Sequence, residues 1–87
     1  MIKAWSDGAW NDYLWWQTND RKQVMRINRL IKEVERDPLS GIGKPEPLRG
    51  NYSGMWSRRI DQANRLIYHV EGSTLFIHSA KDHYVNS

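Results

Sequence analysis

The strongest constraint in this chain is a change of hydrophobic period at Pro38. Before it, Val24, Ile27, Ile31 and Val34 recur at helical spacing with Leu30 beside them. Arg26, Arg29, Lys32, Glu33 and Arg36 fill the opposite face. A helix over 21–37 therefore carries one apolar stripe that has to be covered. Pro38 stops it, because proline has no N–H to donate and its ring clashes with the preceding turn. Breakers follow, Leu39-Ser40-Gly41-Ile42-Gly43-Lys44-Pro45-Glu46-Pro47, with a short edge strand expected at Pro47-Leu48-Arg49 and a turn region at Gly50–Gly54. The last third reads as a meander of strands over 55–60, 65–70 and 74–80. A helical layer and a separate run of strands imply an α+β fold of two layers.

Upstream of the helix, Met1–Trp5 reads as a first strand. Ser6 is a good N-cap and Asp7 suits the positive end of a helix. Ala9, Trp10, Tyr13, Leu14 and Gln17 follow at helical spacing, with Trp16 beside Tyr13. Thr18-Asn19-Asp20 is expected to break that helix and start the next. The predicted order is strand, helical hairpin, then a mainly antiparallel sheet of four to five strands in all. With 87 residues the chain is one domain, 1–87. Such a length buries only about 60 % of its unfolded surface, so five Trp and four Tyr matter to the core. The absence of Cys excludes disulfides and thiolate metal sites and fits a reducing cytoplasm. No leader is expected at Met1–Trp5, and no apolar run reaches the ~20 residues that span a bilayer.

Charge is concentrated where the breakers lie. From Lys44 to Arg65 there are five basic residues (Lys44, Arg49, Arg58, Arg59, Arg65) against Glu46 and Asp61, a net +3 that equals the charge of the whole chain. Glu46 is pinned between Pro45 and Pro47, and neighbouring cations keep such a carboxylate ionised, as a proton acceptor requires.

A two-residue turn at Gly72-Ser73 would set Leu66, Tyr68 and Val70 opposite Ser79, Ile77 and Leu75 on an apolar face for the helices. Arg65, Ile67 and His69 would lie opposite Ala80, His78 and Phe76 on an open face. Trp56 and Ile60 should face the helices, leaving Ser57 and Arg59 beside Arg65. The same alternation sends Arg58 towards the helical layer, where it is expected to reach the rim or pair with an acid.

Two guanidiniums on one open face make a phosphate clamp, since each offers several fixed donors. In the tail, His83 titrates near neutral pH and Tyr84 can stack on a base. His69 and His78 lack a third ligand at any zinc spacing and read as half-buried or rim histidines. Glu46, Arg59, Arg65, His83 and Tyr84 together suit metal-free RNA cleavage by base, charge stabiliser and acid.

Five segments carry a family resemblance. They are Trp10-Asn11-Asp12-Tyr13-Leu14-Trp15-Trp16, Gly43-Lys44-Pro45-Glu46-Pro47-Leu48, Ser53-Gly54-Met55-Trp56-Ser57-Arg58-Arg59-Ile60, Arg65-Leu66-Ile67-Tyr68 and Asp82-His83-Tyr84. In order and spacing, the chain resembles the YoeB-type toxins (Txe/YoeB family) of the RelE/ParE superfamily. The resemblance implies a RelE-like RNase fold and a toxin of a type II toxin–antitoxin module. It implies cleavage of messenger RNA in the ribosomal A site, without a cofactor or metal. It puts the base at Glu46, the transition-state arginine at Arg65 and the acid at His83. RNA contacts fall at Tyr84, Arg59, Arg49 and Lys44.

The implied partners are the ribosome and a YefM/Axe-like antitoxin whose C-terminal segment folds on the toxin. Operator DNA is reached only through that complex, a homodimer is possible, and no membrane is involved. Three departures stand out. Arg49 occupies a position that is often Lys in relatives, and Asn64 one that is often His. Val85-Asn86-Ser87 follow a His-Tyr pair at which many relatives end. Two other readings remain at this point: a basic binding protein without catalysis, and a gyrase poison like the ParE branch.

Overall fold

The computed structural model describes residues 1–82. His83 and Tyr84 lie outside the described residues. The elements are β1 (Ile2–Trp5), α1 (Asp7–Asn19), α2 (Arg21–Arg36), β2 (Glu46–Pro47), a 3-10 turn (Gly50–Tyr52), β3 (Trp56–Arg59), β4 (Arg65–Glu71) and β5 (Thr74–Ser79). They form a five-stranded sheet in the order β1-β5-β4-β3-β2. β1 runs parallel to β5, and the other pairs are antiparallel. The parallel pair exists because the helical hairpin carries the chain across one face before the meander begins.

Ser6 caps α1 as expected, its hydroxyl accepting Ala9 N–H at 3.0 Å. The helices are separated by one residue, not by the expected three. Asp20 serves both, its N–H closing on Trp16 O at 2.8 Å and its carboxylate accepting Lys22 N–H at 3.1 Å. Thr18 and Asn19 stay in α1, where Asn19 Nδ2 donates to Trp15 O. Ala9 and Trp16 turn inward, while Trp10 and Leu14 stand 44 % and 41 % exposed. α2 buries Ile27, Leu30, Ile31 and Val34 on Leu66, Tyr68, Leu75 and Ile77 of the sheet.

The expected β4–β5 register holds for Tyr68–Ile77, His69–Phe76 and Val70–Leu75, then slips. Ile67 faces Ser79 instead of His78, so His78 is the extra residue of a bulge. Beyond it, Asp12 of α1 accepts Ala80 N–H at 3.0 Å and Trp16 Nε1 donates to Ala80 O at 2.8 Å. These two bonds draw the end of β5 onto α1. The second face is not wholly open: Ile67, Ser57 and Leu48 are buried on it.

Arg58 departs most from expectation. It neither reaches the rim nor pairs with an acid. It is fully buried, donating to Tyr68 Oη (3.0 Å) and to the carbonyls of Asp37 (2.6 Å), Ser40 (2.9 Å) and Ile42 (3.1 Å). Those carbonyls begin at the C-cap of α2, the negative end of the helix dipole. Tyr68 Oη in turn donates to Pro38 O at 2.8 Å.

Candidate functional site

Strand register places the candidate residues. Glu46 is opposite Ser57, and Ser57 is opposite Ile67, forming one row across β2, β3 and β4. Arg59 is opposite Arg65 one row further along the same face. Residues two apart on one face are separated by about 7 Å. Glu46, Arg59 and Arg65 therefore share one patch, with Glu46 exposed on the edge strand and Arg59 exposed beside it. Glu46 was expected in a breaker-rich loop; it lies instead in the two-residue strand β2.

The loop before β2 is fixed by Gly43. Its carbonyl accepts Arg59 N–H at 2.6 Å, and its φ is +85°. A Cβ there would sit 2.8 Å from Leu30 Cδ2 and 3.1 Å from Arg58 Cβ on a strained left-handed backbone, so a larger residue would push these side chains aside. Lys44 follows at φ +51°, next to the Arg59 end of β3. Arg49 lies beyond the other end of β2, heading the 3-10 turn. Lys44 and Arg49 thus bracket Glu46 along the edge.

Arg65 is half-buried, and its arm folds over the turn that precedes it. Nη1 donates to the carbonyls of Asp61 (2.8 Å), Gln62 (3.1 Å) and Asn64 (3.2 Å). That turn is organised by the Asp61 carboxylate, which accepts from Ala63 N–H, Asn64 N–H, the Asn64 amide and Gln23 Nε2. Partial burial pushes the Asp61 carboxyl up, but these bonds outweigh it and hold it below the ordinary carboxylate range. Arg26 Nη2 reaches from α2 to Arg59 O at 3.1 Å. The sequence reading missed the roles of Asp61, Asn64 and Asp12. Asp61-Gln62-Ala63-Asn64 does carry a signal, since Asp at the head of a turn accepts from N–H groups two and three residues on.

His69 lies opposite Phe76, which puts His78 diagonally across from it, and the two half-buried histidines form a hydrogen-bonded pair, Nδ1 to Nε2 at 2.7 Å, with Phe76 stacked on His69. Glu71 lies 3.7 Å from His69 Nε2. Among the described residues, no three His, Cys, Asp or Glu side chains are grouped to hold a metal. Burial, with the neighbouring His69, pulls the His78 pKa below its ordinary value. The folded state thus gives up that proton more readily than the unfolded chain. The cost of protonating this group is absent above about pH 6.5 and lowers stability as pH falls below it. Urea midpoints at about pH 7.5 and about 5.5 should differ more in the parent than in His78→Gln.

Comparison with known proteins decides the family. The family described as "YoeB-like toxin of bacterial type II toxin-antitoxin system" matches residues 5–84. The chain belongs to the YoeB family. It is thereby a toxin of a type II toxin–antitoxin system. A curated relative, "Toxin YoeB" of Synechocystis sp., is 53 % identical over 97 % of this chain and 98 % of its own length. A solved YoeB/ParE toxin from Agrobacterium tumefaciens is 43 % identical, covering 97 % of this chain and 100 % of that one, with TM-score 0.94. A Staphylococcus aureus YoeB is 44 % identical, covering 97 % of this chain and 98 % of its own. It is solved as a dimer (TM-score 0.91) and in a heterotetrameric YoeB-YefM toxin-antitoxin complex (0.90). The α+β fold was expected with a mainly antiparallel sheet of four to five strands; it is found with two helices on a five-stranded mixed sheet, the fold these relatives share. No helix of the described residues is long and apolar enough to cross a membrane.

Proposed function

We propose that this toxin is a ribosome-dependent endoribonuclease that cuts messenger RNA in the ribosomal A site without a metal. One observation carries the reading: Glu46, Arg59 and Arg65 share one face of three adjacent strands. The backbone N–H of Arg65 also holds the carbonyl of Asp82, the residue before His83. In this reading Glu46 takes the proton from a ribose 2′-OH. The freed oxygen attacks the adjacent phosphorus and the P–O5′ bond breaks, leaving a cyclic phosphate. His83 gives its proton to the departing 5′-oxygen. Arg65 meets the charge that builds on the phosphorane, while Arg59, Arg49 and Lys44 hold neighbouring phosphates and Tyr84 stacks on a base. DNA lacks the 2′-OH and is not a substrate.

The S. aureus complex supports a YefM-like antitoxin as the partner. In this reading the antitoxin's C-terminal segment folds onto this basic face. Operator DNA would be reached through that complex, and the S. aureus dimer supports a homodimer of this chain. Action on ribosomes places the toxin in the cytoplasm. The test is expression in cells with mapping of messenger 5′ ends. The expected result is growth arrest with cuts phased to codons. Arrest with intact messages would overturn the reading, and DNA damage in its place would point to gyrase.

A further inference from the structure

We propose that Asn64 is a positioning residue of the cleavage site, holding the backbone of Asp82 and through it the start of the segment that carries His83. The proposal deepens the nuclease reading and rests on it. Asp82 is gripped from both sides: its N–H donates to Asn64 Oδ1 at 2.7 Å and its carbonyl accepts Arg65 N–H at 2.9 Å. Its φ of +67° is left-handed, a region aspartate tolerates better than most residues, and these two bonds fix it there.

Asn64 is itself immobilised. Its N–H donates to Asp61 Oδ1 at 2.7 Å and its Nδ2 to both Asp61 oxygens, at 3.1 and 3.2 Å. Its carbonyl accepts Ile60 N–H at 2.9 Å. Asp61 is tied to α2 through Gln23. The amide is the group this position needs: one oxygen to accept from Asp82, one nitrogen to donate to a carboxylate. Aspartate would lack the donor and set two carboxylates together, and alanine would lack both.

The residues before Asp82 are tethered as well. Ala80 is held by Asp12 and Trp16, and Lys81 Nζ lies over the Trp15 ring at 4.6 Å. Asn64 differs from these because it is the neighbour of Arg65 in the chain. Arg65 grips backbone carbonyls of this turn by itself, so what the Asn64 side chain adds is its hold on the peptide one residue ahead of His83. A shift of about 1 Å at a reacting group is enough to cost about 100-fold in rate.

The test is single-turnover cleavage of messenger on programmed ribosomes by the parent, Asn64→Ala, Asn64→His, His83→Gln and the double variant Asn64→Ala/His83→Gln. Asn64→Ala should cleave about 10- to 100-fold more slowly at saturation, with its half-saturating concentration within about twofold of the parent. The double variant should be no slower than His83→Gln alone, because Asn64 acts through His83. A neutral imidazole offers one acceptor and one donor, so Asn64→His should approach the parent above about pH 7. It should fall towards Asn64→Ala below about pH 6, where the ring protonates. A purely structural role would lower the melting temperature without the pH-dependent rescue. Losses that multiply in the double variant, or Asn64→Ala cleaving like the parent, would overturn the proposal alone. A parent that does not cut would overturn the nuclease reading, and this proposal with it.

Discussion

Glu46→Gln is expected to slow messenger cleavage on the ribosome by about 100- to 10,000-fold, the range that loss of a general base gives. Glutamine keeps the shape of the side chain but takes no proton at neutral pH. The substitution is also clean, because Glu46 is exposed on a two-residue edge strand. Exposed changes of this kind usually alter stability by no more than about 0.5 kcal/mol. For a domain of this size that shifts the melting temperature by only about 2–4 °C. Arg65 is a poorer first target. Its Nη1 holds three carbonyls of the 61–64 turn, so Arg65→Ala would mix lost charge stabilisation with a loosened turn. The measurement is the single-turnover rate at saturating toxin, beside a thermal melt and an antitoxin-binding curve. Unchanged cleavage by a folded, antitoxin-binding Glu46→Gln would remove Glu46 from the mechanism.

What the sequence revealed and what it hid follow from the range of the forces involved. Local signals served well: the α2 stripe, the Ser6 cap, the Pro38 stop and the Gly72-Ser73 turn each depend on residues within one or two turns of chain. The shared face of Arg59 and Arg65 followed from strand alternation and a short turn, so it was legible too. The bulge at His78 was not, because the slip in register accompanies contacts between His78 and His69 and between Ala80 and α1. The single-residue helix break was hidden because Asp20 can cap in both directions, and pattern reading assigns a cap to one helix. Asn64 was legible as the end of the Asp61-Gln62-Ala63-Asn64 turn and as a departure from relatives, but not as a hydrogen-bond partner of the tail. Its hydrogen bond to Asp82 spans 18 residues and has no periodic signature. Alternation correctly sent Arg58 inward, but the sequence offered no acid to receive it. Backbone carbonyls are absent from a reading of side chains, and they turned out to be its partners.

That burial gives the largest expected effect on stability. Arg58→Met keeps much of the volume but leaves the Asp37, Ser40 and Ile42 carbonyls and the Tyr68 hydroxyl without their donor. An apolar replacement is tolerated where both partners of a buried pair leave together. Here the acceptors are backbone and cannot leave. A buried acceptor left without its donor costs about 1–3 kcal/mol, so losing the donor to these groups together should cost at least about 3 kcal/mol. In a domain of this size each kcal/mol moves the melting temperature by about 4–8 °C, so the expected fall is at least about 12 °C. Arg58→Lys should recover part of the loss, since an ammonium keeps the charge at the α2 C-terminus but cannot span three carbonyls with a planar fork. Tyr68→Phe removes the hydroxyl that both accepts from Arg58 and donates to Pro38 O, so its cost should overlap with that of Arg58→Met rather than add to it. The 37–42 segment that Arg58 grips leads directly into Gly43, Lys44, Pro45 and Glu46. Loss of the grip should therefore appear first as faster amide exchange at Gly41, Ile42 and Gly43, before global unfolding. Thermal melts of the four proteins, with exchange measured on the parent and Arg58→Lys, read both effects. An Arg58→Met melt within about 4 °C of the parent would mean that the guanidinium is not what holds this loop against the sheet.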